Sequence, residues 1–359
     1  MAKKLAFDRV LFTALALLVA FGLVMVFSAS APLSRGKDWN PLFVRQCVAA
    51  SIGLVAMGFL MHLPYRHLRE QTVVRVMMAL TFVLLVAVLF QPALNGTRRW
   101  FFVGPLSLQA SELAKLAFLP FLAYQIDRHN EEVNRREFLL PTLLVVGLLA
   151  ALILAQPDLG TAALLVAIAA VLIFLAGLSL RFVALAAGLG VVGLFVAIFA
   201  ADYRKARLLA FLRPEDDPQG SGYQALQSLI AVGSGGILGV GQGQSAQKLS
   251  FLPHPESDFI YSIVAEELGF LGAAAVVAAF GVVLWRGFRA GLRAPDRFGR
   301  YLGLGITSLL VIQALINMGV AVALLPTKGI PLPFVSYGGS SLIVALALSG
   351  VLLNVSEHG

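Results

Sequence analysis

Residues 249–272, LSFLPHPESDFIYSIVAEELGFLG, pass without a linker from a polar, proline-bearing approach into an apolar helical run that carries Glu266 and Glu267. Asp258 stands at the junction. A bilayer core about 30 Å thick needs about 20 mostly apolar residues per helical crossing. Carboxylates within such a crossing are costly unless they are paired or face a wet cavity. The stretch therefore reads as a membrane helix whose entrance holds one carboxylate at the surface and whose interior holds two that need partners.

The rest of the chain agrees with that setting. Of 359 residues, 59% are hydrophobic and 13% charged, whereas soluble domains carry about one quarter charged residues. Long apolar runs separated by Gly, Pro and charges favour helices over a barrel of alternating strands. The net charge of +8 is distributed singly between apolar runs, without the basic stripe of a nucleic-acid binder, so no nucleic-acid partner is expected. Cys47 is the single cysteine, which rules out a disulfide framework or a CxxC metal site within the chain. The start, MAKKLAFDRVLFTALALLVAFGLVMVFSASA, imitates a secretory signal, but its apolar run is too long for a cleaved core and reads as a retained first span.

The expected fold is an all-α integral membrane protein in one polytopic domain, residues 1–359. About ten transmembrane helices fall at 9–29, 43–63, 73–91, 108–126, 138–156, 160–179, 181–201, 258–285, 301–325 and 338–355. An extracytoplasmic loop, 202–257, joins the seventh and eighth. With both termini in the cytoplasm, 15 of the 27 basic residues fall in or beside inner loops, as the positive-inside rule requires. That topology leaves Arg35, Lys37, Arg45, Arg98, Arg99, Lys115, Lys328 and five cations of the long loop unexplained. Together they suit an anionic ligand at the outer leaflet; singly, each could be a snorkelling anchor.

Several outer segments carry specific chemistry. NGTRRWFFVGPLSLQASELAKL, 95–116, joins turn residues Asn95 and Gly96 to paired arginines and an aromatic cluster, then enters a span through Ser111, Glu112 and Lys115. Glu112 and Lys115 are three apart and can meet on one helix face. Asp158 follows Pro157 at the start of the sixth span, where it can cap the helix or bind a ligand. YQALQSLIAV, 223–232, has the spacing of a short amphipathic helix. GSGGILGVGQGQSAQK, 233–248, fits neither phosphate-loop spacing. It reads as flexible or closely packed backbone, with Lys248 following as a mobile cation. A Ser-Asp pair before an apolar helix, as at 257–258, is by itself a helix cap.

Taken in order, Arg99-Trp100, SELAK at 111–115, QPDLGT at 156–161, QSLIA with the Gly-rich stretch, the DFIYSIVAEELG run from Asp258 and PLPFVSYGGSS at 331–341 resemble the SEDS proteins of shape, elongation, division and sporulation. Within that family, SAQKLSFLP and LLPTKGIPLPFVSYGGSS look more like the division branch, FtsW, than the elongation branch, RodA. The resemblance implies a peptidoglycan glycosyltransferase of the bacterial cytoplasmic membrane that polymerises lipid II, an undecaprenyl pyrophosphate disaccharide-pentapeptide. It also implies a class B penicillin-binding protein as transpeptidase partner, alongside other division membrane proteins. The family's essential aspartate falls on Asp258, the expected general base. Arg45, Arg99, Glu112, Lys115, Asp158, Lys248 and Ser336 are candidates for substrate contact, with Glu112 orienting Lys115. Many relatives carry His-Thr-Asp where this chain has Glu256-Ser257-Asp258, with His254 displaced. The resemblance specifies no cofactor; a divalent cation, Mg or Mn, could assist the leaving group, although no ligand cluster has a defined spacing. A lipid flippase would also need many spans, but outer-side charges favour surface chemistry, and a pure scaffold would not need Glu112, Lys115 and Asp258 in costly positions.

Overall fold

The computed structural model of the chain describes residues 7–34, 40–93, 97–103, 106–129, 132–200, 205, 211, 222–249 and 251–358. Arg35, Lys37, Asn95, Gly96 and most of the first part of the long loop, 202–221, lie outside the described residues. Eleven α-helices occupy the described residues: α1 (Arg9–Ser30), α2 (Pro41–His62), α3 (Gln71–Ala87), α4 (Ala110–His129), α5 (Arg136–Ala155), α6 (Leu159–Leu175), α7 (Leu180–Phe199), α8 (Tyr223–Ser234), α9 (Ile260–Arg293), α10 (Arg297–Ala321) and α11 (Gly339–Glu357). Every expected span coincides with a helix. Seven of the helices are long and apolar enough to cross a membrane; α6 is apolar but shorter.

Local sequence accounts for the helix starts. Asp8 accepts from the Leu11 N–H at 3.0 Å, Asn40 caps α2 ahead of Pro41, and Asp296 accepts from the Gly299 N–H at 2.8 Å. Each satisfies an amide that a new helix leaves without an internal partner. The fourth expected span starts later than its apolar pattern suggested. Trp100–Val103 (β1) pairs antiparallel with Leu106–Gln109 (β2), and α4 begins at Ala110.

Most of α10 and α11 is buried, whereas α2, α3 and α5 present broad apolar faces outward. Small residues allow the close crossings. A Cβ on Gly350 of α11 would lie 2.5 Å from the Met57 carbonyl oxygen of α2, and one on Gly287 of α9 would lie 2.3 Å from the Thr307 hydroxyl of α10. One end of the bundle is tied by Asp8 with Arg286 (2.7 Å), Arg69 with Asp127 (2.8 Å) and Tyr65 with Asp296 (2.5 Å). The loops that carry the expected site residues gather at the other end.

The stretch after Asp258 is not one continuous helix. Gly269 adopts φ 65°, ψ −165°, which breaks α9. The Gly-rich segment fills the break: the Val240 and Gly241 amides donate to Glu266 and Glu267 carbonyls at 3.0 Å each, and Phe270 and Leu271 donate to Gly236 and Ile237 carbonyls at 2.9 and 3.2 Å. The fit is backbone on backbone, so Gly239, at φ 82°, has no room for a side chain: its Cβ would lie 2.1 Å from the Glu267 carbonyl oxygen. Of the two expectations for this segment, the closely packed one holds.

The side chains of Glu266 and Glu267 clasp residues 245–248. Glu266 accepts from the Ser245 hydroxyl (2.5 Å) and the Ala246 amide (3.0 Å). Glu267 pairs with Lys248 at 2.7 Å, and Ser28 of α1 bridges the two. Lys248 is therefore not the mobile cation its Gly-rich surroundings suggested. It is 7% exposed, held because a carboxylate buried at Glu267 requires a counter-charge. Replacing Gly239 by Ala should lower stability by about 2–3 kcal/mol, seen as a reduced thermal midpoint in detergent, while Gly233→Ala, where a Cβ meets nothing within 4 Å, should be near neutral. Lys248→Met should cost about 3–5 kcal/mol by stranding Glu267, and Lys248→Met with Glu267→Gln should recover much of that loss.

Candidate active site

Asp258 lies in a turn, two residues before the start of α9 at Ile260. Phe259, not Asp258, occupies the cap position. The Ser257 and Asp258 amides both donate to the His254 carbonyl at 3.2 Å, and His254 closes the turn at φ 52°. Three bonds dock this turn. The Ser336 hydroxyl donates to the Ser257 carbonyl at 2.6 Å, the Tyr337 amide donates to the Glu256 carbonyl at 2.8 Å, and Asn317 Nδ2 donates to the Asp258 carbonyl at 3.0 Å. Asn317 Nδ2 also donates to the Ile330 carbonyl at 2.9 Å. Residues 329–337 are thereby fixed against the turn, and Gly329 leaves room for the carboxylate: a Cβ there would lie 3.3 Å from Asp258 Oδ2.

Asp158 anchors a second cluster. Its Oδ1 caps α6 by accepting from the Thr161 amide at 3.1 Å, and its Oδ2 accepts from Ser111 Oγ at 3.1 Å and Gln109 Nε2 at 3.2 Å. Pro157 lies in the corner before this cap. Arg99 holds the same corner, donating to the carbonyls of Gln156 (2.8 Å) and Pro157. The β-hairpin is roped to α11 because Ser340 donates to the Ser107 carbonyl at 2.6 Å and accepts from the Gln109 amide at 3.1 Å. Lys328 extends from the facing loop into the field of Asp158. Burial pushes its ammonium below the ordinary lysine range, and Asp158 partly opposes that shift.

Glu112 and Lys115 meet at 2.7 Å on α4, as their spacing predicts. Lys115 is 2% exposed and also donates to Gln313 Oε1 at 2.8 Å, while Gln313 Nε2 donates to the Pro331 carbonyl at 2.9 Å. The pair thus reaches the Asp258 loop through one side chain. Ser336 is buried and serves that loop from within, accepting from the Leu332 amide at 2.8 Å. Arg45 is exposed on α2 and makes no hydrogen bond or ion pair with the described residues. Lys248 remains with Glu267, on the far side of the 249–257 approach.

The structure adds residues to those singled out from sequence. Gln109, Gln313 and Asn317 join the clusters, and Lys328, one of the cations that topology left unexplained, is half-buried in the field of Asp158. Gln313 and Asn317 are four apart within an apolar span, so they share a face; polar side chains at that spacing in a membrane helix were a readable signal. Glu256 is 8% exposed and its Oε2 has no hydrogen-bond partner among the described residues, while Oε1 faces His254 Nδ1 at 3.8 Å. Among the described residues, no three His, Cys, Asp or Glu side chains gather as metal ligands. Chemically, the end of the bundle offers a half-buried carboxylate, a set of fixed amides and two nearby basic groups, Lys328 and His254.

Comparison with known proteins places this arrangement. Residues 8–359 match the FtsW/RodA/SpoVE profile, described as cell cycle protein. The chain is 43% identical to stage V sporulation protein E of Bacillus subtilis, covering 99% of this chain and 98% of that one. It is 41% identical to a probable peptidoglycan glycosyltransferase FtsW of Geobacter metallireducens, covering 98% and 95%. A chain from a solved peptidoglycan synthase complex, described as coordinating polymerization and crosslinking, superposes with a TM-score of 0.79 at 34% identity and 98% coverage of both chains. Matched along nearly its whole length, this chain is a multi-pass membrane protein that belongs to the FtsW/RodA/SpoVE family.

Proposed function

We propose that the chain is a peptidoglycan glycosyltransferase that polymerises lipid II at the outer face of the cytoplasmic membrane, FtsW-like in its role, with Asp258 as general base. The observation that carries this reading is the docking of the Asp258 turn. Bonds from Ser336, Tyr337 and Asn317 fix it, and Gly329 leaves its carboxylate in contact range of an open backbone. All ten expected spans cross the bilayer in one domain, the termini are cytoplasmic, and the Asp258 end faces outward.

The 4-hydroxyl of the incoming sugar is a weak nucleophile, so its proton must be taken as it attacks the anomeric carbon of the growing glycan. A carboxylate within hydrogen-bond reach does this. The bond from the anomeric carbon to the lipid pyrophosphate breaks through an oxocarbenium-like state, and direct displacement inverts that carbon. Negative charge grows on the departing pyrophosphate. Preorganised cations stabilise it without reorganising, and Lys328 is placed for this because it lies next in sequence to Gly329, which borders Asp258. Arg99, Lys115 and Lys248 act from behind, holding the corner, the loop and the approach. The class B transpeptidase partner crosslinks the product.

Purified protein given lipid II should make glycan strands, and more of them in complex with its class B partner. Asp258→Ala and Asp258→Asn should each lose about 100-fold or more in rate; normal strands from either variant would remove Asp258 from the base role. Lipid II movement across vesicles without any polymer from protein or complex would instead support a transporter. Gly329→Val, which forces a branched side chain toward Asp258 Oδ2, should reduce polymerisation while leaving the thermal midpoint close to wild type.

A further inference from the structure

The turn that presents Asp258 holds a second pair of ionisable groups. His254 lies four residues before Asp258, with its side chain 68% exposed, and its Nδ1 stands 3.8 Å from Glu256 Oε1. Glu256 is the inverse: its side chain is 10% exposed and its Oε2 is buried without a hydrogen-bond partner among the described residues. A buried carboxylate with one unsatisfied oxygen needs a cation nearby. Among the described residues, the histidine is the basic side chain within ion-pair distance of it.

The backbone supports the same reading. His254 is held at φ 52° while its carbonyl accepts two amides of the turn. Glycine meets that conformation with the least strain, so a ring at this position is not what the turn itself demands.

We propose that His254, braced by Glu256, is a cationic contact for a phosphate of the lipid-linked pyrophosphate, set beside the Asp258 carboxylate. This rests on Asp258 being the base of glycosyl transfer. A buried carboxylate 3.8 Å from an exposed imidazole favours the ring's charged form. The charged ring then donates to phosphate oxygens as a charge-assisted hydrogen bond. Glu256, whose backbone is pinned by the Tyr337 amide, acts as a positioning residue.

Electrostatics agree with the geometry. Glu256 raises the imidazole above its usual range, partial burial opposes this, and Asp258 adds a smaller upward push. Asp258 is the other charged group in the imidazole's field, and Lys248, on the far side of the approach, is committed to Glu267. With its folded value raised above 6.5, His254 stays charged through that pH and loses its charge as pH rises through the folded value. Phosphate contact should fade in that window.

The test uses the full chain in complex with its class B partner. His254→Gly relaxes the turn and removes the ring, so its thermal midpoint should equal or exceed that of wild type while kcat/KM for lipid II falls about tenfold or more. His254→Arg should restore most of the rate and abolish the alkaline decline, because guanidinium does not titrate there. Glu256→Gln should move the alkaline decline to lower pH. Direct binding of undecaprenyl pyrophosphate and of inorganic pyrophosphate separates a lipid-linked ligand from free phosphate: His254→Gly should weaken the former, and weakening of only the latter would overturn the assignment. Wild-type rate, pH profile and binding in His254→Gly would also overturn it. Activity in Asp258→Asn would sink the base reading, whereas undecaprenyl pyrophosphate binding reports on His254 independently.

Discussion

A helix in apolar surroundings cannot break without stranding backbone amides and carbonyls, each costing several kcal/mol. Here α9 breaks at Gly269. The break survives because residues 236–241 supply the missing donors and acceptors, four bonds in all between two backbones. Such a join requires bare backbone on both sides, which explains glycine at 239 and 269 better than flexibility does. The first two turns of α9 are thereby set apart from its long second part. Those two turns come directly after the Asp258 turn.

The basic side chains singled out in this chain fall into two populations. Lys248 with Glu267, Lys115 with Glu112, and Arg99 with the carbonyls of residues 156 and 157 are consumed internally. Their energetic value lies less in attraction, which desolvation largely offsets, than in the cost of losing one partner. Such pairs enforce a single arrangement of α1, α4, α9 and the loops between them. Outside these pairs stand Arg45, exposed on α2, His254, exposed in the Asp258 turn, and Lys328, half-buried in the field of Asp158.

Much of this was legible in the chain itself. All ten apolar runs became helices, and spacing alone paired Glu112 with Lys115 and placed Asp158 on the end of α6. Periodicity found α8, too. Long-range pairing was not legible. Nothing local in SAQK indicates that its lysine will meet a glutamate 19 residues on and a serine of the first helix. The hairpin at 100–109 was hidden because it is short and stabilised by Ser340, 231 residues from Gln109. The Ser-Asp pattern suggested a cap, yet tertiary bonds to the turn moved the helix start beyond Asp258, to Ile260. Gln313 and Asn317 were visible as polar residues in an apolar span but received no role, since their partners lie in a proline-rich loop whose path sequence does not specify.

The ends of the chain close on each other. Gln46 of α2 donates to the Ser336 carbonyl at 3.0 Å and accepts from the Gly338 amide at 3.1 Å, while Asp8 meets Ser356 at 3.1 Å. These contacts span 290 residues or more. During synthesis, N-terminal segments emerge first, so α1 and α2 must wait in the membrane until the last helix is made. Residues 329–337 settle on the Asp258 turn through bonds from Asn317, Ser336 and Tyr337, so they can do so once α10 and the loop after it are made. The centre therefore joins segments far apart in the chain, and a chain interrupted before residue 337 has no docked Asp258 turn with which to act on the cell wall.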